Sequence, residues 1–448
     1  MPFDSALDWT HRPFPNGQTL KPHQRTAAEF LLHGRFSLLA LKPRLGKTYV
    51  SLATVNMMCS DFGGTVVIVC PAGLRASWRS KIEELREGNW RYVVVSYNDL
   101  AAGKDDAIPA VIDILIVDEA HFLKNKDSQR TQAVLGIKCD GVGGIAARAR
   151  FVWALTGTPM PNNPSELWPM LRCFYPKAIW GVTGRPMSFG DFRDWSCSLI
   201  ATMQGRRVVG GKRLPELKRR MAEFTLVMGY DVLPGVPKPP AAELMRVEVP
   251  RSEARAIKEL ENSPEGRAVR NALATGGVAA LSKLGVHGAT LRRMLGMAKV
   301  TPVVDLVEAQ LERDPDLKIV VFAYHQEVVG ALKARFSKWH PAAFIGGLTP
   351  DRQEAVKRQF WRDPKCRVLV ASLVAAAEGH DFSCADMAIR AETAWVPATN
   401  EQADMRIWNT EKKRPLDVKA VVLKGTIDED IISAVEQKSR MSVRLFGA

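Results

Sequence analysis

Five largely apolar runs punctuate the first half of the chain: Phe36–Leu41, Val66–Cys70, Tyr92–Val95, Val111–Val117 and Phe151–Leu155, interrupted only by Ser37 and Asp113, with helix-like text between them. A strand with one wet face alternates apolar and polar residues, so a near-continuous run implies cover on both faces. Such runs alternating with helices point to a parallel sheet with helices packed on each side. The pattern returns in the second half at Ile319–Ala323, Val368–Ala371, Met387–Ile389 and Val418–Leu423, and closes with a helix near Glu429–Arg440. The expected fold is therefore α/β, with two strand–helix lobes in tandem. Ligands of parallel sheets collect where the strands end, and Pro71, Ser96, Asp118 and Thr156 each stand at such an end.

The connecting text sets the expected boundaries. Residues 1–17 are Pro-rich and read as an irregular arm. A helix opens at Leu20-Lys21-Pro22 and runs through Leu32, beginning a first lobe over 18–231. Its regular pattern breaks near Met160, where an aromatic, Pro-rich insertion of about 165–225 ends in a basic helix near Leu217–Phe224. VLPGVPKPP, Val232–Pro240, is a stiff connector opening a linker and helical segment, 232–300, interrupted at Gly276-Gly277. The second lobe is expected over 301–448.

The chemistry starts at FSLLALKPRLGKTYV, Phe36 to Val50, a strand, a tight turn and a helix opening at Gly46-Lys47-Thr48. Gly46 lets backbone N–H groups close around phosphate oxygens and the helix start adds its positive dipole end. Lys47 neutralises phosphate charge and the Thr48 hydroxyl is placed for Mg²⁺. The full G-x-x-x-x-G-K-[ST] pattern is absent, since Leu41 stands where its first glycine would be. The apolar run to Val117 leads straight into Asp118-Glu119-Ala120-His121. There Asp118 can hold Mg²⁺ through its water shell while Glu119 orients and deprotonates the attacking water. Each motif has a plainer reading alone: Asp118 as a helix cap, Thr156-Gly157-Thr158-Pro159 as a turn. Their order in one chain joins them.

Lys and Arg outnumber Asp and Glu by 62 to 48, a net charge of +14 that favours a polyanionic partner such as nucleic acid. The seven cysteines form no C-x-x-C pair and several sit in apolar runs, which implies buried free thiols rather than disulfides or zinc. MPFDSALDWT carries no basic-then-apolar leader, and no run reaches the ~18 apolar residues of a membrane span. The expectation is an intracellular protein with no membrane partner.

Taken in order, Gln24, GKT, VCPAGL (Val69–Leu74), VVSY (Val94–Tyr97), DEAH and LTGTP resemble the first lobe of superfamily-two helicases and translocases, most of all the SWI/SNF-like branch. LKPHQ, RLGKT and CPAGLRASW mirror that branch's spellings. IVVFAYH, SLVAAAEGHDFSCADMAI (Ser372–Ile389), Glu392, Trp395-Val-Pro397 and Gln402-Ala-Asp-Met-Arg406 resemble its second lobe, and VLKGTIDEDI (Val422–Ile431) its following segment. The Glu…Trp-x-Pro spelling and LRRMLGMAK (Leu291–Lys299) are most similar to the annealing-helicase, fork-remodelling subgroup. The resemblance implies two tandem RecA-like lobes with a nucleotide cleft between them, ATP and Mg²⁺ as cofactors, and a DNA-dependent ATPase that tracks duplex or forked DNA without base readout, DNA being favoured over RNA.

By the same resemblance, Gln24 reads the adenine edge, while Leu45, Gly46, Lys47 and Thr48 cradle the phosphates. Thr48 and Asp118 serve the metal, and Asp118, Glu119 and Lys47 carry catalysis. Arg406 reaches over from the second lobe as an arginine finger. His121, Thr156 and Gln402 couple hydrolysis to the DNA-bound face, and Pro71, Arg75, Ser96, Tyr97 and Ser372 meet the DNA backbone. Three departures stand out: Arg44 replaces the phosphate loop's usual glycine and is expected to face solvent, Ala376-Ala377 replaces a glycine pair, and Asn409 stands where a second arginine is usual, with Lys412, Lys413 or Arg414 as substitutes. The alternative readings are a strand-separating DNA or RNA helicase, and a nucleotide-gated clamp with weak ATPase. Brevity suits a phage or bacterial member acting in the cytoplasm, on the nucleoid.

Overall fold

Every apolar run named above is a strand in the computed structural model, which describes residues 13–58, 63–160, 162–202, 205–276, 285–377, 380–412 and 414–446. Most of the expected N-terminal arm, together with Cys59, Gly277 and Lys413, lies outside these residues. The chain divides into two compact units. One takes the chain to Ile200, then Gly210–Gly235 and the terminus from Met441; the other takes Ala201–Val209 and Val236–Arg440.

The first unit is built on β1 (Phe36–Leu41), β2 (Gly64–Cys70), β3 (Trp90–Ser96), β4 (Ile112–Asp118), β5 (Ala149–Thr156) and β8 (Thr225–Met228), ordered β3-β2-β4-β5-β1-β8 and parallel throughout. All six residues of β1 are buried, as two-sided cover requires. Each fully buried Val, Leu or Ile contributes about 1.5–3 kcal/mol, so the central strands secure the lobe. Register sets the site: Asp118 pairs with Leu155 and Ala40 with Thr156, so β4, β5 and β1 end side by side. Four helices serve that edge: α1 (Pro22–His33), α2 (Lys47–Met57), α3 (Arg75–Leu85) and α4 (Tyr97–Ala101).

The second unit repeats the scheme with β9 (Glu243–Val247), β10 (Ile319–Ala323), β11 (Ala342–Phe344), β12 (Val368–Ser372), β13 (Met387–Arg390) and β14 (Asp417–Leu423), ordered β11-β12-β10-β13-β14-β9 and again parallel. Helices Arg251–Asn262, Pro264–Gly276 and Gly285–Ala298 lie between β9 and β10, and helix Ile427–Phe446 follows β14.

Some elements escape the sequence pattern. β6 (Cys197–Thr202) and β7 (Gly205–Gly211) form a two-stranded sheet inside the insertion. The basic helix is Leu214–Met221 rather than one ending at Phe224, because Pro215 fixes its first turn. Phe224 is already beside β1, its carbonyl accepting from Leu38 N–H at 2.7 Å. The segment expected to be linker and helix also carries β9: past the prolines, five residues pair with β14 at a sheet edge. The six described cysteines are all free, with Cys70, Cys139, Cys197 and Cys366 buried. No helix among the described residues is long and apolar enough to cross a membrane.

Candidate functional site

Between β1 and α2 the backbone makes the cradle that the GKT text implies. Gly46 sits at φ +90°, a conformation that favours glycine, and a Cβ there would stand 2.2 Å from Gln24 Nε2 and displace the end of that side chain. The first N–H groups of α2 face the loop without helical partners. Lys47 Nζ donates to Leu41 O at 3.1 Å, and the carbonyl of Leu45 takes His23 Nε2 at 3.1 Å and Gln24 Nε2 at 3.2 Å. Gln24 Oε1 accepts from Lys21 N–H at 2.9 Å. Burial holds the His23 imidazole below its usual range, which suits a neutral ring on a carbonyl. Arg44 adopts φ +67°, the left-handed region, and is half-buried instead of facing solvent. That backbone angle explains why related loops use glycine there.

The carboxylates stand at the adjoining strand ends. Asp118 is 6% exposed; its Oδ2 accepts from the Trp78 indole N–H at 2.8 Å and its Oδ1 from Glu119 N–H at 2.9 Å. Burial first, then the charge of Glu119, push its carboxyl up to about 6, while Trp78 and Lys47 pull it back. Glu119 has φ +49°, a strained non-glycine angle that carries the chain out of the strand. His121 Nδ1 lies 3.2 Å from Thr156 Oγ1 and 3.2 Å from Glu119 Oε2. One Nδ1–H serves only one of the two at a time, so the imidazole joins the ends of β4 and β5 through alternative bonds. A Cβ on Gly157 would meet Pro43 Cδ at 3.1 Å, placing the LTGTP turn against the phosphate loop. Lys47, Asp118, Glu119, His121 and Thr156 thus meet at one sheet edge.

The donor set suits a magnesium nucleotide. No group of three or more His, Cys, Asp or Glu among the described residues makes a cage. Mg²⁺ needs none, since it binds through one or two protein oxygens, waters and substrate phosphates. Thr48 and the buried, under-neutralised Asp118 offer oxygens of that kind.

Residues expected to meet DNA divide into two kinds. Pro71 and Arg75 lie on the segment after β2, and Arg75 is partly exposed in an ion pair with Asp99 at 2.8 Å. Ser96 and Tyr97 have inward side chains whose polar groups are engaged within the protein. The Ser96 hydroxyl caps α4, donating to Asp99 Oδ2 at 2.7 Å and accepting from Asp99 N–H at 3.1 Å. Tyr97 is 1% exposed and its hydroxyl donates to Asp118 O at 2.7 Å. Capping and burial have claimed both polar groups.

In the second unit, Ser372 ends β12 opposite Ala323 of β10. Gln402 lies on helix Pro397–Asp404 and Arg406 just beyond it, its carbonyl accepting from Phe382 N–H at 2.8 Å. Asp404 is gripped by both ends of the Arg390 guanidinium. Lys412 and Arg414, candidates for the missing second arginine, are committed elsewhere: Lys412 pairs with Asp386 at 2.8 Å and Arg414 with Asp314 at 2.8 Å. Sequence reasoning assigned no role to Trp78, though the N–H of a buried indole demands a partner.

Residues 83–195 match a family model described as the SNF2-related domain, and residues 298–410 one described as the helicase conserved C-terminal domain. The chain is 24% identical over 459 residues to the human DNA annealing helicase and endonuclease ZRANB3, covering 94% of this chain and 40% of that protein. It is 25% identical to a Caenorhabditis elegans SWI/SNF-related matrix-associated actin-dependent regulator of chromatin subfamily A-like protein 1 homolog, covering 94% and 61%. The chain therefore spans less than two thirds of the length of these relatives. The helicase domain of Hef from Pyrococcus furiosus shares the fold at TM-score 0.50 and 16% identity, covering 93% of this chain and 98% of that one.

Proposed function

Since the chain belongs to the SNF2-related, two-lobed branch of the superfamily-two ATPases, we propose that it hydrolyses ATP in response to duplex or forked DNA and moves along that DNA, remodelling its structure or displacing bound proteins. The observation that carries the reading is the meeting of Lys47, Asp118, Glu119, His121 and Thr156 at one strand edge, beside a glycine-turned helix N-terminus.

Gln24 keeps one amide N–H and one oxygen lone pair beyond its bonds to Leu45 and Lys21. That is the complement of an adenine's N7 and N6 edge. The N–H groups opening α2 and the Lys47 ammonium hold the triphosphate, with Leu45 closing the loop's floor. Thr48 and Asp118 hold Mg²⁺, which when bound neutralises charge on the β- and γ-phosphates. Glu119 takes the proton of the attacking water, held by His121 at its other face. Arg406 supplies the finger charge from the second lobe, with Gln402 beside it in the same motif; a guanidinium stays charged and can grip two oxygens. Backbone and side-chain groups around Pro71, Arg75 and Ser372 meet phosphates, which gives positioning without sequence readout.

Glu119→Gln tests the assignment. It should keep ATP bound and lower turnover by about 10²–10⁴; a variant that cycles normally would show that another base acts. Displacement of a triplex-forming oligonucleotide without unwinding of a plain fork is the expected signature of translocation, and release from forks alone would favour a helicase. A nucleotide-gated clamp is the second reading, favoured by Asn409 and by the internal pairing of Lys412 and Arg414. Tight DNA binding without stimulation of turnover would select it.

A further inference from the structure

The two segments expected to face DNA in the first unit both end on Asp118. Trp78, in the first turn of α3, is 2% exposed, and its indole N–H meets Asp118 Oδ2 at 2.8 Å. Tyr97, opening α4, is equally enclosed, stacked on Phe122 at 5.3 Å and 11°, with its hydroxyl on Asp118 O at 2.7 Å. Outside this pair the segments are tied to each other, because Asp99 takes Arg75 Nη1 at 2.8 Å and Ser96 Oγ at 2.7 Å on the same oxygen. Arg75 and Trp78 are three residues apart, one turn along one face of α3.

We propose that Trp78 is a positioning residue for the metal-holding carboxylate, and that through it the DNA-facing segment sets the carboxylate's readiness for the metal nucleotide. The donor, not the bulk of the ring, is what matters. With Trp78 on Oδ2 and Glu119 N–H on Oδ1, each Asp118 oxygen has one protein donor and one free direction for the water shell of a cation. A second-sphere donor of this kind fixes the orientation of a carboxylate, and its loss typically lowers metal affinity or activity 10–100-fold. The buried indoles of Trp168 and Trp408 donate to backbone carbonyls; this one donates to the acid assigned to the metal. Arg75 is the outward end of the relay. A DNA phosphate competing with Asp99 for its guanidinium shifts the first turn of α3, and Trp78 lies in that turn. The DNA half of this proposal rests on the translocase reading; the metal half does not.

Two variants of the full chain test it: Trp78→Phe, which keeps a ring but removes the donor, and Tyr97→Phe, which removes a hydroxyl alone. The primary readout is the Mg²⁺ concentration needed for tight binding of a fluorescent ADP, followed by the Mg²⁺ midpoint of ATP turnover with and without duplex DNA. Trp78→Phe should raise the Mg²⁺ midpoint about 10-fold or more and blunt stimulation by DNA, while the affinity for DNA changes less than about twofold. Tyr97→Phe should move the midpoint less and blunt stimulation as well. A Trp78→Phe midpoint within twofold of the parent overturns the proposal. Should that variant lose its circular-dichroism spectrum, 3-benzothienylalanine at position 78, with sulfur in place of N–H, gives the same two outcomes. If DNA fails to stimulate the parent chain, the translocase reading falls, and the Mg²⁺-dependence of ADP binding still decides the role of Trp78.

Discussion

Lys299 and Asp428 form an ion pair of 2.6 Å with side chains only 3% and 8% exposed, and its removal has a calculable cost. Lys299 is the joint between helices Gly285–Ala298 and Val300–Arg313, while Asp428 lies in the first turn of helix Ile427–Phe446. The two partners are not equally supported. Asp428 also accepts from Leu423 N–H at 2.9 Å, sits at a helix N-terminus, and feels the charge of Arg292. Lys299→Met therefore leaves a carboxylate with other friends, and should cost about 2–3 kcal/mol, below the usual 3–5 for a broken buried pair. Asp428→Asn leaves an ammonium near a second cation and should cost about 3–5 kcal/mol.

Urea unfolding followed by circular dichroism gives both losses, read on the transition of the second unit. The double variant should lose less than the sum of the singles by about 2 kcal/mol or more. Additivity within about 0.5 kcal/mol would refute the reasoning.

Arg44 at φ +67° bears a left-handed penalty of about 1–2 kcal/mol. Comparing Arg44→Gly with Arg44→Ala cancels the lost side chain; after the entropy of glycine, the glycine variant should be about 1 kcal/mol more stable, or 2–4 °C in melting temperature for a unit of about this size. Equal melting temperatures would remove the strain. His380 makes the pH prediction. Burial first, then Lys357 and Arg406, push its imidazole from 6.5 down to about 4. The unfolded chain then takes up a proton below pH 6.5 that the folded chain declines. Stability is fully retained above that value and lost as pH falls towards 4, by at most about 3 kcal/mol. His380→Gln should flatten that acid-side slope in urea midpoints, and an unchanged slope would place its origin elsewhere.

Much of this arrangement could be read from the residues. Central strands such as Phe36–Leu41 and Ile319–Ala323 are legible because burial on both faces makes them apolar throughout but for Ser37. Edge strands are not: β11 has three residues, and β9 runs Glu243-Leu-Met-Arg-Val247 behind a proline cluster, with mixed exposure. At the site, motif order gave the residues that meet at the strand ends but not the direction of their side chains. VVSY is such a case, where the serine is a cap and the tyrosine a buttress. Trp78 was hidden for the opposite reason. It stands within recognisable text, yet its partner is forty positions away, a distance that only folding closes.

The central claim is that DNA drives nucleotide turnover at the edge where Lys47 and Asp118 meet. ATP hydrolysis by the parent chain and by Lys47→Ala, measured side by side with no nucleic acid, single-stranded DNA, duplex DNA, forked DNA and RNA, tests it most directly. Turnover should rise with duplex or forked DNA, rise little with RNA, and vanish in Lys47→Ala under every condition. Turnover indifferent to DNA, or undiminished by Lys47→Ala, would contradict the account.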